Sequence, residues 1–183
     1  MTWTKLTSSD AGAPSLKAAA GSLATVFRWA LPLLGFSLVY GPTGNAAVFR
    51  AATGNRYYFH VNNTDAGTYG TSIVRGAETA TSATALGNAF PTTTQSNNNV
   101  SRWNAGDYTN PTLSVPYVFY SDGKFFYFLC QTAAGDVNSW ALHFFGDVPT
   151  QYATTWATVI SVTDSQYPNA GIAGIAGYGY PSA

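Results

Sequence analysis

Residues 115–130, with the sequence VPYVFYSDGKFFYFLC, hold two runs of aromatic and β-branched residues on either side of an Asp-Gly pair. Runs of this kind form strands, and Asp-Gly is typical of a type I′ turn, in which both central residues take positive φ. The segment therefore predicts a β-hairpin with strands at Val115–Tyr120 and Lys124–Cys130. Ser139–Phe145 is predicted to be the following strand.

The expected core follows from the alternation of side chains along these strands. Successive residues of a strand point to opposite faces of the sheet, so residues at alternate positions share one buried face. The alternation predicts a core that contains Phe126, Phe128, Trp140, Leu142 and Phe144.

One segment has convincing helical spacing. Ser22 is a candidate N-cap, and Pro32 and Gly35 are expected to end the helix. The residues predicted to form its buried face are Leu23, Val26, Phe27, Ala30 and Leu31.

Most of the remaining chain alternates between strands and turns. Ala46–Ala51, Arg56–Asn62 and Thr154–Val162 are predicted to be strands, whereas residues 79–112 are expected to form a looser surface excursion. The sequence therefore predicts a mainly β fold, an antiparallel β-sandwich or barrel-like domain with one short N-terminal helix and extended termini.

The expected organisation is a single domain with two arms. An N-terminal arm covers residues 1–21, a β-rich domain covers 22–164, and a C-terminal arm covers 165–183. The C-terminal arm contains Ile and Tyr residues on a glycine-rich backbone, with neither helical nor strand spacing. It is therefore expected to dock on this domain or on a neighbouring chain.

Charge is scarce in this chain. Charged residues make up 9% of the 183 residues, whereas about 25% is usual in soluble domains. Eight basic side chains balance eight acidic ones and do not cluster in the sequence, so nucleic acid is not an expected partner. A net charge near zero favours association. Arg28 and Pro32 interrupt the apolar stretch Leu23–Tyr40, so neither a membrane span nor a signal peptide is expected.

The residues that could carry chemistry are His60, His143, Cys130 and eight carboxylates that mostly adjoin turn residues. Neither histidine has an acid or a nucleophile nearby in a recognisable motif, and the spacing does not suit a zinc site. No catalytic, metal or cofactor-binding residue is therefore assigned, no cofactor is expected, and the chain is predicted not to be an enzyme. A glycosidase-like pair of carboxylates and a calcium loop at Asn62–Asp65 remain open alternatives.

Apolar residues near both ends of the chain, together with one tryptophan in the polar excursion, are the candidate interface. Free tails are usually depleted in such residues, so a closed homo-oligomer or a repeated lattice is expected to bury them, unless each tail folds back on its own domain. The candidate interface residues are Trp3, Leu6, Trp103, Ile172, Ile175, Tyr178 and Tyr180. For Trp103, local packing is the alternative interpretation.

Several segments of the chain resemble segments of a known protein family. They are residues 3–16 (WTKLTSSDAGAPSL), 20–23 (AGSL), 48–59 (VFRAATGNRYYF), 90–93 (FPTT) and 144–147 (FFGD). In these segments the chain resembles a family of bacteriophage virion structural proteins of unassigned specific role. The resemblance implies a place in the virion and carries no enzymatic motif.

The sequence and this resemblance are consistent with four functions. The first is a capsid decoration or cement protein that binds the capsid lattice. The second is a tail fibre, spike or baseplate component that contacts the host, with a host-surface glycan as a further ligand. A carbohydrate-binding module and a hydrolase complete the set. The expected partners are other virion proteins and further copies of the chain, without nucleic acid or membrane.

Overall fold

The computed structural model describes residues 2–64, 71–92, 101–149, 156–163 and 175–181. Within these ranges, residues 149, 156–157, 161–163 and 175–181 are described by their backbone alone. The fold is mainly β with antiparallel sheets and one helix, as predicted.

Two six-stranded sheets make up the fold. The strands of sheet I are β1 Thr4–Thr7, β8 Tyr117–Ser121, β9 Phe125–Gln131, β10 Trp140–Pro149, β11 Trp156–Thr163 and β12 Ile175–Pro181. The strands of sheet II are β2 Phe36–Tyr40, β3 Ala46–Ala51, β4 Tyr58–Asn62, β5 Thr71–Ala80, β6 Leu86–Phe90 and β7 Ser101–Asn104. Sheet I has the order β1-β8-β9-β10-β11-β12, and sheet II has the order β2-β3-β4-β5-β6 with β7 also paired to β5. Each sheet is largely a meander in which consecutive strands are neighbours; the exceptions are β1, which pairs with β8, and β7, which pairs with β5.

The helix α1, Ser22–Leu33, lies against both sheets. Its predicted apolar residues are all buried, and Phe27 is the most central of them. The Phe27 ring lies 5.3 Å from that of Phe59 in sheet II and 5.3 Å from that of Phe128 in sheet I. Within the described residues, no helix has the length and apolarity needed to cross a membrane.

The start of the helix differs from the prediction. Gly21, with φ of 79°, is the N-cap and makes no side-chain cap, so Ser22 is the first helical residue. The Ser22 hydroxyl instead accepts a hydrogen bond from the Lys17 amide at 2.9 Å. The Leu23 amide donates to Asn63 Oδ1 at 2.8 Å, so a buried side chain distant in sequence satisfies one of the free amides of the first turn.

The inner faces of the two sheets meet through aromatic rings. Phe59 of sheet II lies 5.2 Å from Phe126 and 4.9 Å from Phe145 of sheet I, measured between ring centroids. Phe126, Phe128 and Phe145 are each at most 1% exposed. The core therefore lies between the sheets, as in a sandwich.

The predicted register of β10 is wrong by one residue. Phe126 and Phe128 are buried as predicted, but Trp140 and Leu142 are each 39% exposed. Phe126 pairs with Phe145, so the side chains of β10 that face the core are at 141, 143 and 145. Phe144 is buried, but it lies on the opposite, outer face, where neighbouring rings cover it.

The turn of the hairpin also differs from the prediction. Gly123 has φ of 90°, but Asp122 is not among the residues with positive φ, so the turn is not type I′. The Asp122 carboxylate accepts hydrogen bonds from the amides of Lys124 and Phe125 at 2.9 and 3.2 Å. These bonds favour a longer turn, in which Ser121 pairs with Phe126.

Both predicted arms contribute strands to sheet I. The N-terminal arm at 1–21 contains β1, and the C-terminal arm at 165–183 contains β12, whose backbone pairs with β11 over Ile175–Pro181. The sequence of the C-terminal arm has no strand spacing, but its backbone forms a strand over this stretch. The excursion predicted at 79–112 likewise contains β6 and β7.

Replacing Phe27 with Ala is expected to lower the free energy of unfolding by about 3–5 kcal/mol, because the cavity would open between both sheets. Leu33→Ala is the matched control in the same helix, since Leu33 is 57% exposed, and its expected cost is within about 0.5 kcal/mol. Denaturant unfolding followed by circular dichroism measures both. Equal effects of the two changes would contradict the central position of Phe27.

Candidate functional site

The outer side of sheet I is apolar across three neighbouring strands. The register that directs Phe126, Phe128 and Phe145 inward directs the alternate residues of β8, β9 and β10 outward. The Trp3 ring joins them, since it packs edge-to-face on Phe125 at 5.4 Å. We name this set the apolar face; it consists of Trp3, Val118, Tyr120, Phe125, Tyr127, Leu129, Trp140, Leu142 and Phe144.

Strand register arranges the apolar face in rows. Tyr127 lies between its pairing partners Tyr120 and Phe144, which makes one aromatic row across β8, β9 and β10. Leu129 similarly lies between Val118 and Leu142, which makes an adjacent aliphatic row. Residues paired in this way have Cβ atoms about 4.5–5.5 Å apart, so each row is continuous.

Much of this surface is open to water. Trp3 is 50% exposed, Trp140 and Leu142 are each 39% exposed, and Tyr120 is 37% exposed. The Trp140 indole is held in place by a hydrogen bond from Nε1 to the Val137 carbonyl at 3.1 Å.

The rings of the apolar face are inclined to one another. Phe125 and Tyr127 are 5.8 Å apart at 81°, and Tyr127 and Phe144 are 5.1 Å apart at 53°. Phe125 and Phe144 are inclined by 40°. Edge-to-face and tilted contacts are the favoured geometry of packed aromatic side chains, so these rings form a corrugated surface.

Charge is nearly absent from this surface. Among the outward positions of the strand residues whose side chains are described, Lys5 in β1 carries the one charge. Its Nζ lies 5.9 Å from the centroid of the Tyr120 ring, at the margin of the apolar face.

The outer side of sheet II is different. There the register directs outward a set that includes several polar and charged side chains, as expected for an antiparallel sheet with one face in water. They include Ser37, Arg50, Asn62 and Arg75. The Arg50 guanidinium lies 4.7 Å from the centroid of Tyr58. The apolar character of sheet I is therefore specific to that sheet.

The two histidines lie in settings that keep them neutral. His143 is fully buried, its ring stacks on Trp103 at 4.9 Å, and its Nε2 accepts a hydrogen bond from the Asn104 amide at 3.2 Å. Burial lowers the pKa of His143 to about 3. Burial, aided by the charge of Arg75, lowers the pKa of His60 to about 4, and a backbone contact at Ala83 opposes that shift.

The carboxylates with described surroundings serve local structure. Asp107 accepts hydrogen bonds from the amides of Thr109, Asn110 and Ala134 and from the Asn110 side chain. Burial opposes its ionisation, but these bonds outweigh it and hold the pKa of Asp107 below its usual value. Asp147 accepts from the Asn55 amide at 2.5 Å and from Thr158 Oγ1 at 2.6 Å, which ties the β3–β4 turn to sheet I.

The Cys130 thiol is buried, and the described residues do not form a metal site. Burial raises the pKa of the Cys130 thiol, whose Sγ lies 3.8 Å from the Asn104 carbonyl. Within the part of the chain that the structure describes, no group of three or more His, Cys, Asp or Glu could hold a metal ion.

The predicted interface residues lie in different structural environments. Trp3 is exposed and belongs to the apolar face, whereas Leu6 is half-buried and packs against the core. Trp103 was a candidate either for a contact surface or for local packing; it is fully buried beside Phe59 and His143, so it packs locally and is not an exposed contact residue. Ile172 lies outside the described residues. Ile175, Tyr178 and Tyr180 lie in β12, where only the backbone is described.

Sequence reasoning missed most of the apolar face, although a signal for it exists. Residues 125–130 read FFYFLC, an apolar run without a polar residue at alternate positions. A strand with one face in water normally alternates, whereas a strand covered on both faces is continuously apolar. The run therefore indicates that both faces of β9 are made for burial.

The chain matches no family model, no curated protein and no solved structure.

The pH dependence of stability is expected to report on His143. Its folded pKa of about 3 lies below the ordinary 6.5, so the unfolded chain binds a proton between these values that the folded chain does not. Stability therefore falls as pH falls through this window. His143→Gln, which keeps an acceptor, should reduce the slope of unfolding free energy against pH by about 1 kcal/mol per pH unit between about pH 5 and 6.5.

The measurement is denaturant unfolding at several pH values on both proteins. His60 contributes in the same direction and is present in both, so it does not affect the difference. An unchanged slope would mean that His143 already binds its proton in the folded protein at these pH values.

Proposed function

We propose that this chain is a structural protein of a bacteriophage particle, and that it acts by packing the apolar face of sheet I against a neighbouring protein chain. The observation that carries the proposal is the exposure of Trp3, Tyr120, Trp140 and Leu142 on one continuous sheet surface.

Solvent exposure of such a surface is unfavourable. Burial of apolar area gains roughly 25 cal/mol per Å², and large contiguous apolar patches on soluble proteins usually mark interaction sites. The sparse charge of the chain adds to this argument, because molecules with a net charge of zero do not repel one another over long distances.

Ring geometry supports a protein partner over a sugar. A carbohydrate-binding module would present coplanar aromatic rings as a flat platform. On the apolar face, the contacts of Trp3 with Phe125 and of Phe125 with Tyr127 are inclined by 70° and 81°. A corrugated surface of this kind interlocks with side chains from a second protein surface.

The resemblance to virion structural proteins supplies the context. A capsid decoration or cement protein is repeated many times and needs a surface that packs without long-range repulsion, which suits a chain that is 9% charged. This is the proposed role. A tail fibre, spike or baseplate component is the alternative, and copy number separates the two: hundreds per particle for a decoration protein and few for a tail component.

The test uses Leu142→Lys and particles that lack the protein. Val39→Lys is the matched control, since Val39 in sheet II is 38% exposed against 39% for Leu142. Both proteins should fold as wild type by circular dichroism. We expect Leu142→Lys to lower particle binding at least tenfold and Val39→Lys to leave it unchanged, as measured by co-sedimentation.

Quantitative gel densitometry of wild-type particles against the major capsid protein gives the copy number. If the chain is absent from purified wild-type particles, the virion role is contradicted. Equal binding by both variants would contradict the role of the apolar face.

A further inference from the structure

We infer that a second copy of this chain covers the apolar face, so that two molecules form a closed dimer through sheet I. The inference rests on the proposed function in that it takes the apolar face as a surface that packs on protein, and it identifies that protein.

The apolar face is complementary to itself. Its interior consists of an aromatic row centred on Tyr127 and an aliphatic row centred on Leu129, with no charged side chain in either row. Two such surfaces can meet without burying a charge, whose desolvation would cost several kcal/mol unless it were paired. A different protein would need an equally neutral and apolar surface to pack there.

A two-fold axis suits the order of the strands. With an axis parallel to β9 and directly above it, β9 lies over β9 of the second copy, and β8 lies over β10. The aromatic row then meets an aromatic row, and Val118 comes opposite Leu142 of the second copy. Lys5 lies at the β1 margin and comes opposite the β11 side of sheet I, so the two Lys5 side chains do not meet.

The outer side of sheet II explains why the assembly closes. Head-to-tail packing of sheet I on sheet II of the next molecule would produce an open chain of molecules. That contact would place the apolar face against Arg50 and Arg75, which would lose water without gaining an acidic partner on the apolar face. Face-to-face packing of two sheets I avoids this cost and leaves the polar sides in water.

The measurement is molecular mass by light scattering and sedimentation over a wide range of concentration, on the full chain. Wild type and Val39→Lys should be dimers in the micromolar range, and Leu142→Lys should be a monomer with a dissociation constant raised at least tenfold.

Leu129→Cys gives a second readout that does not depend on weakening the interface. Leu129 lies beside the proposed axis, so its thiol should be linked to the same residue of a second copy by a short bismaleimide, whereas Val39→Cys should not. The native Cys130 is buried in both proteins.

The outcomes separate the two proposals. A monomeric wild type overturns the dimer, and loss of particle binding in Leu142→Lys would then retain the proposed function, with another virion protein on the apolar face. A dimer that survives Leu142→Lys and is not linked through Leu129→Cys places the interface elsewhere and overturns the inference.

Discussion

The position of Phe27 between the two sheets is the constraint on which the rest of the structure depends. Its ring contacts Phe59 from one sheet and Phe119, Phe126 and Phe128 from the other, with centroid distances of 5.3 to 6.1 Å. One side chain from the helix thus fixes which face of each sheet is inner. Once the inner face of β9 is fixed, strand alternation also fixes which of its residues point outward. The composition of the apolar face is therefore a consequence of core packing.

Helix and strands could be predicted from the sequence where the pattern had one solution. The apolar residues of α1 recur at helical spacing, which predicts its buried face, and the alternation within Arg56–Asn62 predicts the strand that the structure has at Tyr58–Asn62. In β10 the residues at both parities are largely apolar, so alternation cannot select a face. The register there depends on Gly146, whose position opposite Phe125 has no room for a side chain.

Tertiary contacts decided what local patterns could not. The turn at 121–125 contains an Asp-Gly pair, but the Asp122 carboxylate binds two backbone amides and selects a longer turn. The amide of Leu23 is satisfied by Asn63, which is distant in sequence. Trp103 sits in a polar stretch and is nevertheless buried, because β7 pairs with β5 and directs it inward. Of the candidate site, Trp3 was predicted, and the other exposed members of the apolar face were assigned to the core or not assigned.

The same property of the sequence accounts for the wrong register and for the missed site. When a strand is apolar on both faces, its hydrophobic pattern does not show which face is buried. The same pattern does not fix the register during folding unless other contacts do so. Here Phe27 and Gly146 make that choice, which leaves Trp140 and Leu142 outside. A chain with so few charges also has little means of keeping such a surface apart from others. An outer face that is apolar along the aromatic and aliphatic rows of β8, β9 and β10 therefore has a physical explanation if the sandwich is one layer of a larger assembly, in which sheet I is an inner layer on both of its sides.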